Sequence, residues 1–319
     1  ANYSESTPGL SINRFCASGL EAVNLAANQV KGEAGSAYIA GGVEMMSRVP
    51  MGSDGAAIAV DPKLALNTHF VPQGISADLM ATKYGFSRDD VDAYAVESQK
   101  RAIAAINSGR FIDEITPVTI LKNKGDKVIF DTDEYPRYRN ENGKYFLDTS
   151  MEKLSNLRPA FQKNGTVTAG NSSGINDGAS AILLMSDEKS DELNLKPIAK
   201  WLGSATVGVD PSIMGIGPVP STKKLLMRLG LTLGDIGLIE INEAFAAQTI
   251  GVMKELDIDP DITNVNGGAI ALGHPIGASG ARILVTLIHE MKKREVKRGL
   301  ATLCIGGGMG IAMCIENIQ

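Results

Sequence analysis

The chain has 319 residues, with 31 Lys and Arg against 36 Asp and Glu, giving a formal charge of −5. That length accommodates about two ordinary domains and a large core, and mild acidity without a basic block excludes nucleic acid and anionic membrane as main partners. Hydrophobic residues at 44% and charged residues at 21% exclude wholesale disorder, while 35 glycines exceed the usual share of about 7% and aromatics reach only 5%. Close backbone approaches and tight turns therefore carry more of this structure than bulky anchors do.

The chain opens on Ala1-Asn2-Tyr3, not Met, and no targeting pattern precedes the first motif. Either something upstream is removed or these residues are part of a longer product. The motif Cys16-Ala17-Ser18-Gly19 then leads into a helical pattern through Leu20, Val23, Ala27 and Val30 that stops at Lys31-Gly32. A short apolar strand is predicted over 37–40, ending in Gly41-Gly42. This strand, turn, helix, strand order is the connectivity of α/β folds.

From 47 to 163 charges become denser, and the spacing predicts one clear helix over 88–108 with Val91, Ala95, Ala102 and Ile106 on one face. We read 47–163 as an inserted, partly irregular domain on the surface of the core. The apolar pattern resumes at Thr166 to Asn171 and at Ala179 to Met185, predicting two strands joined by a polar turn. A second set follows: strand 198–202, helix 221–229, strand 238–241, a helix opened by Asn242, a loop 264–277, helix 279–293, and a hairpin turning on Gly306-Gly307-Gly308.

An internal repeat supports the division. Cys16-Ala17-Ser18-Gly19, helix, strand, Gly41-Gly42 is echoed by Gly277-Ala278-Ser279-Gly280, helix, strand, Gly306-Gly307. Two related halves are expected, 1–46 with 164–196 and 197–319, packed so that position 16 approaches the 274–280 loop. The longest uncharged stretches, 265–281 and 299–315, are broken by glycines and fall short of the roughly 20 apolar residues of a membrane span.

The three cysteines, Cys16, Cys304 and Cys314, form no disulfide framework and point to a reducing, cytoplasmic compartment. Neither they nor His69, His274 and His289 have metal-site spacing. Cys16, at a strand-to-helix turn, meets free backbone N–H groups and a positive helix end that favour thiolate; a buried apolar cysteine is the other reading. His274, before Pro275 and between glycines, is presented by a shaped loop or is simply structural. Cys304 precedes three glycines, for which close approach of a ligand gives a reason and packing does not. Cys314 reads as core, and His69 and His289 as surface. Together these suggest thiolate catalysis with a His and a second acid/base. No phosphate-binding GxxxxGK[ST], no GxGxxG and no GxSxG motif competes.

Four blocks carry a family resemblance: Asn13-Arg14-Phe15-Cys16-Ala17-Ser18-Gly19, Asn242-Glu243-Ala244-Phe245-Ala246-Ala247-Gln248, Gly267 through Gly280 around Gly273-His274-Pro275, and Cys304-Ile305-Gly306-Gly307-Gly308. Over essentially its whole length the sequence resembles the thiolases, acyltransferases that cleave or form 3-ketoacyl-CoA. The resemblance implies a duplicated, layered α-β-α-β-α core with an inserted loop domain. It implies that Cys16 carries the acyl group as a thioester, that His274 activates it and faces one oxyanion hole, that Asn242 holds the water completing that hole, and that Cys304 moves the proton on acetyl-CoA. Gly306 and Cys16 would supply the N–H groups of a second hole. Ser173 matches a position near the pantetheine arm, and Met214 and Phe245 match acyl-pocket walls. Coenzyme A enters as substrate or product, with no resident cofactor, and Lys122, Arg137 or Arg158 would meet its phosphates. A homodimer or homotetramer is implied.

The sequence departs from the family in two places. Only 15 residues precede Cys16, so the first half-domain is expected to be short of strands. Pro72-Gln73-Gly74 stands where many short-chain biosynthetic members carry a His, which leans toward a longer or bulkier acyl chain. Rival readings are a ketoacyl synthase of related fold, which would carry a His at position 304, and a non-catalytic acyl-CoA or lipid-binding protein.

Overall fold

A computed structural model describes residues 2–122 and 125–318. A 3₁₀ turn, Phe15–Ala17, leads directly into α1 (Ser18–Lys31), and β1 (Ala37–Met45) follows. Next come α2 (Ala57–Val60), α3 (Pro62–Asn67), α4 (Gln73–Tyr84) and α5 (Arg88–Asn107). A reciprocal capping box between Ser87 and Asp90 starts α5. Two small hairpins, β2 (Val118–Leu121) with β3 (Lys127–Phe130) and β4 (Tyr138–Glu141) with β5 (Lys144–Leu147), precede α6 (Met151–Ser155). The chain returns to the core through β6 (Asp177–Met185) and α7 (Asp187–Glu192). It then builds β7 (Ala199–Gly208), α8 (Pro218–Leu229), β8 (Leu238–Ile241), α9 (Ala246–Leu256), α10 (Ala269–Leu272), α11 (Ile276–Arg294), β9 (Arg298–Ile305) and β10 (Met309–Asn317).

Two sheets enclose a helical layer. β1 and β6 pair antiparallel from Ala37 opposite Met185 to Met45 opposite Asp177. The second sheet runs β7-β10-β9-β8, with β8 parallel to β9 and the other pairs antiparallel. Between them α1 and α11 pack on each other and on β1, and α11 packs on β9, while α8 covers the far side of the second sheet. The main core draws on all of these, with Leu20 and Val23 of α1, Ile283, Leu284 and Leu287 of α11, and Leu303, Ile311 and Met313 of the sheet. All four residues of β8 are buried, as a parallel strand covered on both faces requires. Among the described residues the first of these sheets has two strands against four in the second, and its outward side leaves Ile39, Val43 and Leu183 exposed.

Several elements differ from the sequence reading. β1 does not end at Gly41-Gly42 but runs through them; a Cβ at either glycine would strike backbone, Ser180 O at one and Gly277 O at the other. Residues 166–171 form no strand. Asp78 Oδ1 accepts from the N–H groups of Thr166 at 2.7 Å and Val167 at 3.0 Å, so a side chain takes the bonds a sheet neighbour would need. Asn242 does not open a helix; the chain stays irregular until α9 begins at Ala246, whose N–H donates to Asn171 O at 2.9 Å. The 47–163 region holds more order than the single helix expected there, α4 above all. His289 is half-buried, not a surface residue.

Candidate active site

Cys16 sits in the 3₁₀ turn that packs against both β9 and α11. Phe15 before it has φ +47, a left-handed conformation unusual for an aromatic residue. Local bonds hold this turn: Asn13 Oδ1 accepts from the Phe15 N–H at 2.9 Å, Ser18 Oγ accepts from the Arg14 N–H at 2.8 Å, and the Ser18 hydroxyl donates to Phe15 O at 2.8 Å. Backbone strain held by surrounding bonds is a common feature of reactive sites. The result is a buried Cys16 whose thiol feels the backbone N–H groups of Gly306 and of Cys16 itself, both of which favour its charged form. Cys304, on β9 and fully buried, lies near enough for its own thiol to feel the Cys16 charge.

His274 and Asn242 meet at the adjoining strand end. β8 and β9 run parallel, and the Asn242 N–H donates to Thr302 O at 3.0 Å just beyond β8. Functional groups of α/β folds gather at the carboxyl ends of parallel strands for the same topological reason. Asn242 Nδ2 is 3.4 Å from His274 Nε2, and His274 Nδ1 is 2.6 Å from Ser279 Oγ. The loop carrying His274 is gripped from the first half: Asn176 Oδ1 accepts the His274 N–H at 3.2 Å and Glu44 Oε2 accepts the Gly277 N–H at 3.0 Å. Asn242 Oδ1 is buried and has no protein partner among the described residues.

The electrostatics correct one expectation. The N–H groups from Gly306 and Cys16 do favour a thiolate, but burial outweighs them and pushes the Cys16 thiol up to about 11, with Glu44 adding to the rise. Burial, and behind it the Arg282 cation, pushes His274 down to about 4. The two therefore rest as thiol and neutral imidazole. Burial also raises Cys304 far above the ordinary thiol range.

Beside Cys304 lies an apolar cluster of Met214, Phe245, Ala244, Val167 and Ala77. Phe161 stacks edge-on to Phe245 at 6.1 Å between centroids. Ser173 adjoins this wall, its N–H donating to Ala244 O at 3.0 Å. Lys122, Arg137 and Arg158 are exposed. Cys314 is buried core on β10, and His69 is exposed. Among the described residues no group of His, Cys, Asp or Glu is arranged to hold a metal ion, and no helix is long and apolar enough to cross a membrane.

Residues 1–188 match the family described as "Thiolase, N-terminal domain", and residues 195–317 match "Thiolase, C-terminal domain". The chain belongs to the thiolase family. The acetyl-CoA acetyltransferase of Chromobacterium violaceum is 51% identical over 98% of this chain and 80% of the relative. The solved human mitochondrial 3-ketoacyl-CoA thiolase has a TM-score of 0.89 at 38% identity, covering 99% of this chain and 80% of that one. Its complex with CoA gives 0.88 at 37% identity over the same shares. The thiolase fold is thereby established for this chain.

Sequence reasoning overlooked several residues that support this thiolase-family site. Glu243 Oε1 accepts from the Tyr94 hydroxyl at 2.8 Å and from Asn264 Nδ2 at 3.0 Å, and Oε2 from the Ser98 hydroxyl at 2.7 Å and the Ile270 N–H at 3.1 Å. It thereby pins the segment leading to His274 onto α5. A charged residue directly after Asn242 inside an otherwise apolar block was the available signal, since buried carboxylates need partners. Asn176, Glu44 and Ser279 gave no comparable signal, because their partners are distant or depend on a turn.

Proposed function

We propose that this chain transfers acyl groups through a thioester on Cys16, with His274 taking the thiol proton and Cys304 exchanging a proton with the acetyl unit. The protein is an acyl-CoA C-acyltransferase, acting in thiolytic cleavage of 3-ketoacyl-CoA or in the reverse Claisen condensation. The observation carrying the role of Cys16 is its burial in the turn packed between β9, which carries the buried Cys304, and α11, with the N–H groups of Gly306 and Cys16 favouring its charged form. Donors fixed before reaction stabilise an oxygen that becomes negative at that point.

Starting from thiol and neutral imidazole, the chemistry balances without a preformed ion pair. The Cys16 S–H bond breaks as sulfur bonds to the ketone carbon, the proton moves to His274 Nε2, and the carbonyl electron pair moves to oxygen. Cleavage of the adjoining C–C bond leaves the acyl group on Cys16 and an acetyl-CoA enolate, which takes the Cys304 proton at carbon. The Cys304 thiolate then accepts the proton of an incoming CoA thiol as that sulfur takes the acyl group, the acyl–Cys16 bond breaks, and the released Cys16 sulfur takes back the proton held on His274 Nε2. Asn242 donates to His274 and stands beside the first oxyanion. Met214 and Phe245 wall the acyl group, Ser173 borders the pantetheine arm, and Lys122, Arg137 and Arg158 of the insertion (47–163) meet the CoA phosphates. The two related halves are 1–46 with 164–196 and 197–319.

Intact mass after incubation with a 3-ketoacyl-CoA tests this reading. An acyl adduct on Cys16 is expected and disappears in Cys16→Ser. In Cys304→Ala, acylation by an activated thioester persists while C–C bond formation is lost. An adduct on Cys304 or Cys314 instead, or equal loss of both steps in Cys304→Ala, would overturn the assignment. Absence of any adduct together with retained acyl-CoA binding would favour a non-catalytic binding protein.

A further inference from the structure

We infer that Ser279 is a positioning residue that fixes the tautomer of His274, keeping the proton on Nδ1 and leaving Nε2 bare to receive the Cys16 proton. The inference rests on the acyl-Cys16 reading above. Ser279 is fully buried in the first turn of α11. Its Oγ stands 2.6 Å from His274 Nδ1 and 2.9 Å from Pro275 O, but the hydroxyl carries one hydrogen. If that hydrogen points to Pro275 O, the serine oxygen accepts from Nδ1–H and both short contacts are hydrogen bonds. If it points to Nδ1, two oxygen lone-pair regions face each other at 2.9 Å with no hydrogen between them.

The contact on the other side of the ring fits the same arrangement. Asn242 Nδ2 faces Nε2 at 3.4 Å, and an amide N–H can donate only to a bare ring nitrogen. One tautomer thus satisfies the contacts to Ser279, Pro275 and Asn242 together. The same tautomer suits the ring to proton transfer. A histidine accepts a proton only at the nitrogen that lacks one, so the partner of the other nitrogen decides which atom is the base. Once Nε2 is protonated, the serine oxygen accepts from an imidazolium, which favours the charged form in a site where burial opposes it.

The test reads the tautomer directly. In the ¹⁵N-labelled chain, imidazole NMR resolves three histidines, and the His274 signals are those lost in His274→Asn. A protonated Nδ1 and an unprotonated Nε2 are expected in the wild type. Ser279→Ala should mix or reverse the two signals and lower kcat roughly ten- to a hundredfold, the usual cost of losing a residue that orients a functional side chain, with KM little changed. Ser279→Thr, which keeps the hydroxyl, should restore the wild-type signals and most of kcat. A wild-type spectrum with the proton on Nε2, or a Ser279→Ala spectrum that keeps it on Nδ1, would overturn the inference, and the first decides even if the alanine variant fails to fold. Wild-type signals as expected together with an acyl adduct surviving in Cys16→Ser would instead sink the acyl-Cys16 reading alone.

Discussion

Gly19 and Gly280 face each other where α1 crosses α11, and each presses its α-carbon against the other helix's backbone. A Cβ on Gly19 would lie 2.8 Å from the Ala281 nitrogen and 3.0 Å from Gly277 O, and one on Gly280 would strike the Leu20 nitrogen. This contact joins the helix that follows Cys16 to the helix that follows His274. It is how a duplicated pair of turns converges on one site.

Gly19→Ala distinguishes packing from propensity. In an isolated helix the change stabilises by about 1 kcal/mol. Here backbone atoms cannot yield, and overpacking of this kind costs about 1–3 kcal/mol. A lower denaturant midpoint and reduced acylation are expected. A midpoint raised above wild type would show that the helices part without cost.

Reactivity of Cys16 should follow its burial. Since its thiol is pushed up to about 11, it is protonated at neutral pH, and the thiolate fraction grows only as pH climbs toward that value. Alkylation of Cys16 by iodoacetamide, followed by peptide mass, should keep accelerating well beyond the ordinary thiol range near about 8.5. A plateau below about pH 9 would mean that the N–H groups from Gly306 and Cys16 outweigh desolvation after all.

Much of the element order in the core, α1, β1, β6 and β7 through β10 with α11 among them, was legible because it rests on periodicity and on a repeated turn motif. The convergence of position 16 with the 274–280 loop followed from that repeat. What stayed hidden depends on single long-range bonds. Asp78 replaces a sheet partner for 166–167, and Glu243 fastens the approach to His274, yet neither leaves a periodic trace. The protonation of the Cys16 thiol was hidden for a related reason: helix ends and free N–H groups are visible in sequence, whereas the depth of burial that overrides them is a tertiary property.

The glycine triplet also separates into distinct causes. Gly307 and Gly308 adopt φ +80 and +87 to turn the hairpin, and a Cβ on Gly308 would lie 2.5 Å from Val209 O. A Cβ on Gly306 would meet only Gln73 Nε2 at 3.4 Å and Phe15 at 3.9 Å, ordinary contacts. Gly308→Ala should therefore lose about 1–3 kcal/mol of stability. Gly306→Ala should melt like wild type and still lose turnover, because its methyl group occupies the approach to Cys16. Equal melting of both variants would leave the triplet without this division, and full activity in Gly306→Ala would remove the steric role.

Stability should carry the signature of Glu240, buried on β8 with Oε2 lacking a protein partner among the described residues. Desolvation pushes its carboxyl up to about 8, against an opposing influence from Arg282, and burial pushes Glu114 up to about 7. A folded pKa above the unfolded value means the native state holds the extra proton, so this contribution is complete below about pH 4.5 and is lost as pH rises through 8. His274 works in the other direction: held at about 4, its contribution is complete above about pH 6.5 and is lost as pH falls toward 4. Between about pH 6.5 and 8, where His274 no longer contributes a slope, the carboxyls should make the protein less stable as pH rises. Glu240→Gln stays neutral throughout and should flatten that slope, gaining on wild type at about pH 8 and matching it most nearly at the acid end. Urea midpoints of both proteins across this window measure it, and parallel slopes would mean that Glu240 is already ionised in the fold.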